Sequence, residues 1–516
     1  MRALFVTSVG VTCAAALTLP LAVPAASAPA RPPSVSHGTP GAGPPSVRLE
    51  AAPGGETRPD TATGPRGAVL GTGETGAAEA MASAAEPAGS TQSLPLEPLA
   101  APSNRVAGAV GQGLAQRDAR PFSLVGVVWD DAGAELHGTV QVRTRATGTT
   151  DWSDWQDIET HNAEHTADLG SAERESGTVR GATAPLWVGD SDGVEVRVRP
   201  EAPDPQNRTI AAPLPEGLRL ELVDPGEDPE PEPARGAPVN RAATPVKLPA
   251  MTPARFADTP PPTTVVAVPE ALTAESAATS AANAELAPLG ATFIPALTKA
   301  ETEEEAAIVA AGAKPYIGPR PGIVTRRGWG ADERLRERNF VYTRSVKAAF
   351  VHHSATGNNY TCKQAPSVLR SIYRYHTRSS GWRDIGYNFA VDKCGNIYEG
   401  RAGGVARAVL GAHTLGFNTN TMGVAVLGTY TSTNPPAAAV TAVSKLTAWK
   451  LGLFGANPKS KVTLVSAGSN KYTKGRKVKM NVISGHRDGF ATECPGARLY
   501  KKLGTARTTS AKLQGR

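Results

Sequence analysis

Aromatic residues are scarce, 5% of 516 positions, while Gly (53) and Pro (44) are abundant. Such a chain cannot be packed core throughout, so a length sufficient for two or three domains must be shared with spacer text. No tandem repeat of fixed period is present, which excludes a solenoid. Acidic residues are almost missing from one region: residues 321–516 carry 31 Lys+Arg against 8 Asp+Glu, a net of +23, so with +7 overall the first 320 positions carry −16. That asymmetry suggests a basic part that meets an anionic polymer; a solvated basic face with no particular partner is the plainer alternative. Cysteine is limited to four residues, Cys13, Cys362, Cys394 and Cys494.

The first residues read as an export signal. Arg2 precedes a mostly apolar run from Leu4 to Val23, and Ala26-Ser27-Ala28 supplies a small-x-small cleavage site. Pro20 and Pro24 interrupt the run, which argues against a membrane anchor, and Val11-Thr12 before Cys13 is a poor lipoprotein match. Cleavage after residue 28 removes Cys13 and leaves three cysteines in an oxidising setting where pairing is expected. Three is odd, so one is free, intermolecular or a metal ligand. For an exported chain the anionic partner is a wall polymer and not nucleic acid, and stable membrane insertion is not expected.

Residues 29–118 are Ala/Pro/Gly-rich without sustained periodicity and read as disordered. Residues 119–224 change character. Phe122–Trp129, Gly138–Arg145, Gly193–Arg199 and Leu218–Leu222 are strand candidates, most of them alternating apolar and polar positions between Gly/Asp turns, and predict an antiparallel β-sandwich. Its Trp129, Trp152, Trp155 and Trp187 are either a sugar-stacking platform or ordinary packing. Residues 225–319 return to linker text, with a weak helical stretch near Thr298–Ala313. Residues 320–510 are the compact part. A strand at Lys347–His353, a helix at Gln364–Ser379, a hairpin over Gly386–Glu399, a central apolar strand at Met422–Gly428 and a helix opening at Pro436 predict an α/β domain with a mixed central sheet flanked by helices. The chain is therefore expected to be multidomain, with long disordered linkers.

A catalytic zinc site needs three protein ligands and one open position. His352 on its strand, with His486 and Cys494 in Ser484-Gly-His-Arg-Asp-Gly-Phe-Ala-Thr-Glu-Cys-Pro-Gly496, supplies two imidazoles and a thiolate. Cys362 and Cys394 could then pair, although either could pair with Cys494 instead.

Several motifs in order resemble the peptidoglycan recognition protein family, which includes the phage-type N-acetylmuramoyl-L-alanine amidases. They are Arg326-Arg-Gly-Trp-Gly-Ala331, Phe350-Val-His-His-Ser-Ala355, Tyr375-His376, Gly381–Phe389, Tyr398-Glu-Gly-Arg401, Gly411-Ala-His413 with Asn418, Gly423-Val-Ala-Val426, and Gly485-His-Arg-Asp488 with Glu493-Cys-Pro-Gly496. The resemblance covers about a third of the chain and implies a peptidoglycan groove, Zn2+ held by His352, His486 and Cys494, and catalytic roles for Tyr387 and Thr492. His413 and Asn418 are implied as substrate contacts, with a satisfied loop histidine and a turn asparagine as the plainer alternative. His353 and His376 are expected to be structural. Members that only bind peptidoglycan typically replace the cysteine, which this chain keeps; some phage members carry lysine where Thr492 stands. The segment Lys459–Lys479 looks like an inserted basic hairpin. The implied activity is hydrolysis of the amide between the lactyl group of N-acetylmuramic acid and L-alanine, in a secreted or wall-associated enzyme. The alternatives are a non-catalytic peptidoglycan-binding module, a zinc peptidase acting within the stem peptide, and a β-domain that anchors to the wall with the amidase auxiliary to it.

Overall fold

The computed structural model describes residues 89–99, 111–160, 162, 164–201, 212–229, 272–309 and 316–516. The expected export segment 1–28, and residues 29–88 of the expected spacer, lie outside these. The described residues all belong to one contact unit.

The first domain is built from β1 (Ser90–Pro95), β2 (Glu97–Pro98), β3 (Gln112–Trp129), β4 (Gly138–Ala146), β5 (Gln156–Ile158), β6 (Gly181–Ala182), β7 (Leu186–Pro200) and β8 (Arg219–Asp224). All pair antiparallel, as expected. They form one continuous sheet in the order β1-β8-β3-β7-β4-β5, not two separate sheets. The β3–β7 ladder shifts register between Leu114 and Leu124, and such irregularities bend a sheet. Residues from both ends, including Val140, Val196, Leu220 and Leu222, consequently share one core.

The expected start at residue 119 is too late. Strand β1 pairs along its whole length with β8, and β3 begins at Gln112. Ser-Thr-Gln-Ser-Leu-Pro has no large apolar alternation and is an edge strand ending in proline, so composition could not reveal it.

The second domain holds α1 (Ala274–Ala281), β9 (Phe293–Ile294), α2 (Lys299–Val309), β10 (Ile323–Val324), β11 (Ala348–His353), α3 (Ala365–Arg374), β12 (Phe389–Val391), β13 (Ile397–Glu399), β14 (Thr421–Val426) and α4 (Ala437–Leu453). It continues through β15 (Lys461–Val465), β16 (Lys477–Asn481), β17 (Ile483–Gly485), α5 (His486–Gly489), α6 (Ala497–Tyr500) and α7 (Leu503–Gln514). Seven strands form a mixed sheet, β17-β11-β14-β12-β13-β10-β9. Parallel pairs join β17, β11, β14 and β12, and the β12–β13 hairpin is antiparallel. Strand β14 is buried throughout because it lies between β11 and β12. On one face Val351, Met422, Val424 and Val426 pack with Val443, Leu446 and Trp449 of α4 and with Leu503 of α7. The other face carries α3 through Val368, Leu369 and Ile372.

Of the segment expected to be linker, 225–319, the described residues contribute to this domain, and 230–271 and 310–315 lie outside them. Strand β9 extends the sheet, and the Asn283 amide donates to both oxygens of buried Glu399 at 2.9 and 3.0 Å. Small Ala/Ser/Thr side chains made the segment read as spacer; its ordering comes from contacts far away in sequence. Strands β15 and β16 form the expected hairpin, with Leu464, Val478 and Met480 packed near Phe350 and Phe417 and with Lys461, Lys477 and Lys479 exposed.

The two domains share a core. In β3, Val125, Val127 and Trp129 face the first domain's interior, while Leu124 and Val128 join the cluster around α3. Strand β3 is therefore apolar on both faces, which explains the unbroken run Leu124-Val-Gly-Val-Val-Trp129. Gly126 sits where a Cβ would lie 2.4 Å from the Tyr375 hydroxyl oxygen.

Candidate metal centre and groove

Sheet register brings two distant histidines together. Val351 pairs with Gly485 in the parallel β11–β17 ladder, so His352 and His486, each one residue further on, emerge side by side. Their ring centroids are 4.5 Å apart. Cys494 is returned to them by a short loop, closed where the Arg487 N–H donates to the Cys494 carbonyl at 3.0 Å and the Arg487 guanidinium pairs with Glu493 at 2.9 Å. Its Sγ lies 3.8 Å from His352 Nδ1. The three expected ligands thus converge.

A fourth residue joins them that the sequence reading missed. His165, from the connection between β5 and β6 of the first domain, places Nε2 3.2 Å from His486 Nδ1 and 3.6 Å from the Cys494 sulfur. The four donor atoms lie within 4.8 Å of one another, and all four residues are buried. No local signal marks His165, since Glu164-His165-Thr166 is ordinary loop text. Only the completeness of a tetrahedral set could have prompted a search for it.

These residues fit zinc. Nitrogen at about 2.0–2.1 Å and sulfur at about 2.3 Å from a tetrahedral centre imply edges near 3.3 Å between nitrogens and near 3.6 Å from nitrogen to sulfur, close to the spacings found. The lone pairs also need an electrophile. The nitrogens that face the centre, His165 Nε2, His486 Nδ1 and His352 Nδ1, meet one another and the Cys494 sulfur at 3.2–3.8 Å, a convergence of lone pairs that a cation would satisfy. Burial, reinforced by neighbouring imidazoles, holds His352 and His486 well below the ordinary histidine range, and burial likewise pushes His165 down to about 3. The imidazoles are therefore neutral, as metal ligands must be. Burial pushes the Cys494 thiol well up, only partly offset by a hydrogen bond with the His353 backbone, so it needs a cation to become thiolate.

Tyr387 stands beside the cluster, its ring centroid 5.5 Å from that of His352 and 5.9 Å from that of His165. Burial and then the nearby Cys494 keep its phenol far from ionising, so it is a hydrogen-bond donor. The Thr492 hydroxyl accepts from the Cys494 N–H at 3.1 Å and donates to Glu164 of the first domain at 2.6 Å. His413 and Asn418 are fully enclosed here. The Asn418 side-chain oxygen accepts from the His413 and Thr414 N–H groups, and its amide donates to the Thr166 carbonyl and the Asp168 carboxylate. Asn418 thus meets the first domain, whereas the His413 ring bonds Thr414 and Thr421 of its own domain. His353 accepts from the Tyr430 N–H, and His376 accepts from the Gly386 N–H and stacks on Trp382 at 4.3 Å, both structural roles.

Cys362 is bonded to Cys394, with Cα atoms 6.2 Å apart, and Cys494 is free of any disulfide. Of the tryptophans, Trp129 and Trp187 are buried packing, while Trp152 and Trp155 lie against the guanidinium groups of Arg143, Arg145 and Arg197.

Comparison with known proteins identifies two families along the chain. Residues 342–497 match the N-acetylmuramoyl-L-alanine amidase family, and residues 78–216 match a domain family described as Rv3811 N-terminal galactose-binding domain-like. Peptidoglycan-recognition protein SC2 of Drosophila simulans is 31% identical over 185 residues, covering 36% of this chain and 85% of that protein. The N-acetylmuramoyl-L-alanine amidase of Homo sapiens is 32% identical over 216 residues, covering 40% of this chain and 32% of the human protein. A solved structure of peptidoglycan recognition protein-LE in complex with tracheal cytotoxin is 28% identical with a TM-score of 0.28, covering 36% of this chain and 92% of that one. The family matches place an amidase-family domain behind a galactose-binding-like domain. The chain belongs to the peptidoglycan recognition protein/N-acetylmuramoyl-L-alanine amidase family.

Proposed function

We propose that this protein is a secreted, zinc-dependent N-acetylmuramoyl-L-alanine amidase acting at the cell wall. The observation that carries the reading is the convergence of His352, His486 and Cys494 beside Tyr387, an intact ligand set where a pure binding module has no need of one. Water is added across the amide between the lactyl group and L-alanine: the C–N bond breaks, the lactyl carbonyl becomes a carboxylate, and the stem peptide leaves with a free amino terminus. Zinc bound by His352, His486 and Cys494 would supply Lewis acidity, polarising the scissile carbonyl and acidifying water. Tyr387, protonated throughout the physiological range, donates to the oxygen on which charge develops. The Thr492 hydroxyl, bound to the Cys494 N–H, steadies the ligand loop and offers a second polar group to substrate. The net +23 of residues 321–516 suits a wall rich in carboxylate and phosphate. Export agrees with the Cys362–Cys394 pair and with the apolar amino-terminal run.

The test incubates the purified full chain with muropeptides, with and without a chelator, and identifies products by mass. Release of stem peptide beginning at L-alanine, abolished by chelator and by Cys494→Ser together with loss of bound zinc, is the expected outcome. Cleavage within the stem peptide would move the enzyme to the peptidases; binding without cleavage by zinc-loaded protein freed of any block at the site would leave a recognition module.

A further inference from the structure

The zinc amidase reading requires an open coordination position, because a closed tetrahedral set is the mark of a structural site. In this chain His165 reaches in from the other domain and stands where it would fill that position. The residues around it occupy the rest of the groove. The Glu164 carboxylate accepts from the Thr492 hydroxyl at 2.6 Å, and its carbonyl accepts from the Leu415 N–H at 2.9 Å. Asp168 accepts from the Gly416 N–H at 2.7 Å and from the Asn418 amide at 2.8 Å. Between Glu159, His165, Ser354, Thr492 and Cys494 the remaining crevice is about 10 Å³, room for no more than one water. A muramoyl peptide cannot enter it.

We propose that residues 164–180, in the β5–β6 connection, form an autoinhibitory plug: His165 caps the metal as its fourth ligand, and Glu164 and Asp168 hold the groove's polar groups as the carboxylates of an acidic peptide would. The proposal rests on the zinc amidase reading. Charge supports it, since an acidic loop lies on a domain of strongly positive balance. So does the character of its contacts. The body of the first domain is fixed by apolar packing of Leu124, Val128 and Trp187 against the α3 cluster, and the loop's far end by the buried Glu173–Arg401 pair at 2.8 Å. The groove-filling part is held by hydrogen bonds, to which a bound metal would add His165, and Leu169 next to it is exposed. Polar contacts of this kind are exchangeable for water or for an incoming carboxylate. The plug can therefore let go while the two domains remain docked, and the chain is latent until it does.

The experiment replaces zinc by cobalt in the full chain and follows its visible absorption during titration with azide, a small anion that binds only an open metal position. The wild-type spectrum is expected to be indifferent to azide, and that of His165→Ala to shift. Zinc-loaded His165→Ala is expected to cleave muropeptides faster by the inverse of the wild type's open fraction, roughly tenfold or more. The double variant Glu164→Ala/Asp168→Ala keeps all four ligands while loosening the loop, and should fall between the two. An azide response in wild type equal to that of His165→Ala overturns the plug. So does failure of folded His165→Ala to hold metal, which would make His165 a structural ligand. Should His165→Ala not fold, the double variant decides, and wild-type azide response and rate in it refute the proposal. Wild type cleaving as fast as the variants sinks the plug and leaves the amidase standing. An azide-accessible His165→Ala that cleaves no muropeptide sinks the amidase and leaves the closed coordination standing.

Discussion

At the site, each side chain's chemistry follows from what encloses it. The Tyr387 phenol is useful because burial keeps it protonated. Tyr387→Phe removes only the hydroxyl, so once the metal is accessible kcat should drop by about 100–1000-fold with zinc content unchanged; steady-state kinetics on muropeptides alongside metal analysis checks this. His376 illustrates the opposite use of an imidazole. It is buried against Trp382, and burial, then the nearby His165 and Arg401, hold it well below 6.5. The native state therefore binds no proton there where the unfolded chain does. Its contribution is present above pH 6.5 and declines as pH falls below that value. Urea unfolding of chelated protein at pH 7.5 and 5.5 should show a larger loss for wild type than for His376→Asn; equal losses would contradict the assignment.

Strand β3 has to serve two cores. Its odd positions from Val125 face the first domain and its even ones face α3, which leaves no room at Gly126. A methyl group there meets the Tyr375 ring and hydroxyl at 2.4–2.6 Å, and that hydroxyl is already committed to the Thr183 carbonyl at 3.1 Å. Gly126→Ala should cost about 1–3 kcal/mol, the usual range for overpacking, read as a lower urea midpoint. Helix α3 is the matching element. Its apolar face, legible from Val368, Leu369 and Ile372, is the one that receives the first domain.

The two domains are not beads on a string. A fragment spanning 272–516 would strip Leu124, Val128 and Trp187 from the α3 cluster and leave Arg401 without Glu173. Such a fragment is expected to melt below the full chain and to bind an apolar dye that the full chain ignores, as scanning fluorimetry would register. Fragments beginning near residue 320 would do worse. They also lose β9, and Asn283 from beside Glu399, leaving that buried carboxylate without the amide that donates to both its oxygens.

Residue order alone determined the α/β character of the basic domain, because short apolar runs at β11 and β14 mark strands buried on both faces and the apolar spacing at α3 and α4 marks helices with one buried face. It also determined three of the four cluster residues, since His352, His486 and Cys494 sit in motifs whose order is distinctive. The tertiary structure decided the rest. Strand β1 and helix α1 are ordered by partners more than a hundred residues away: Ser90 pairs with Asp224 in the first domain, and Asn283, just beyond α1, holds Glu399. Such partners leave no trace in local composition. His165 enters the cluster from another domain, 187 positions before its neighbour His352. A loop histidine carries no periodicity. Whether it meets solvent or a metal is settled by how two cores pack together, which no stretch of the chain encodes by itself.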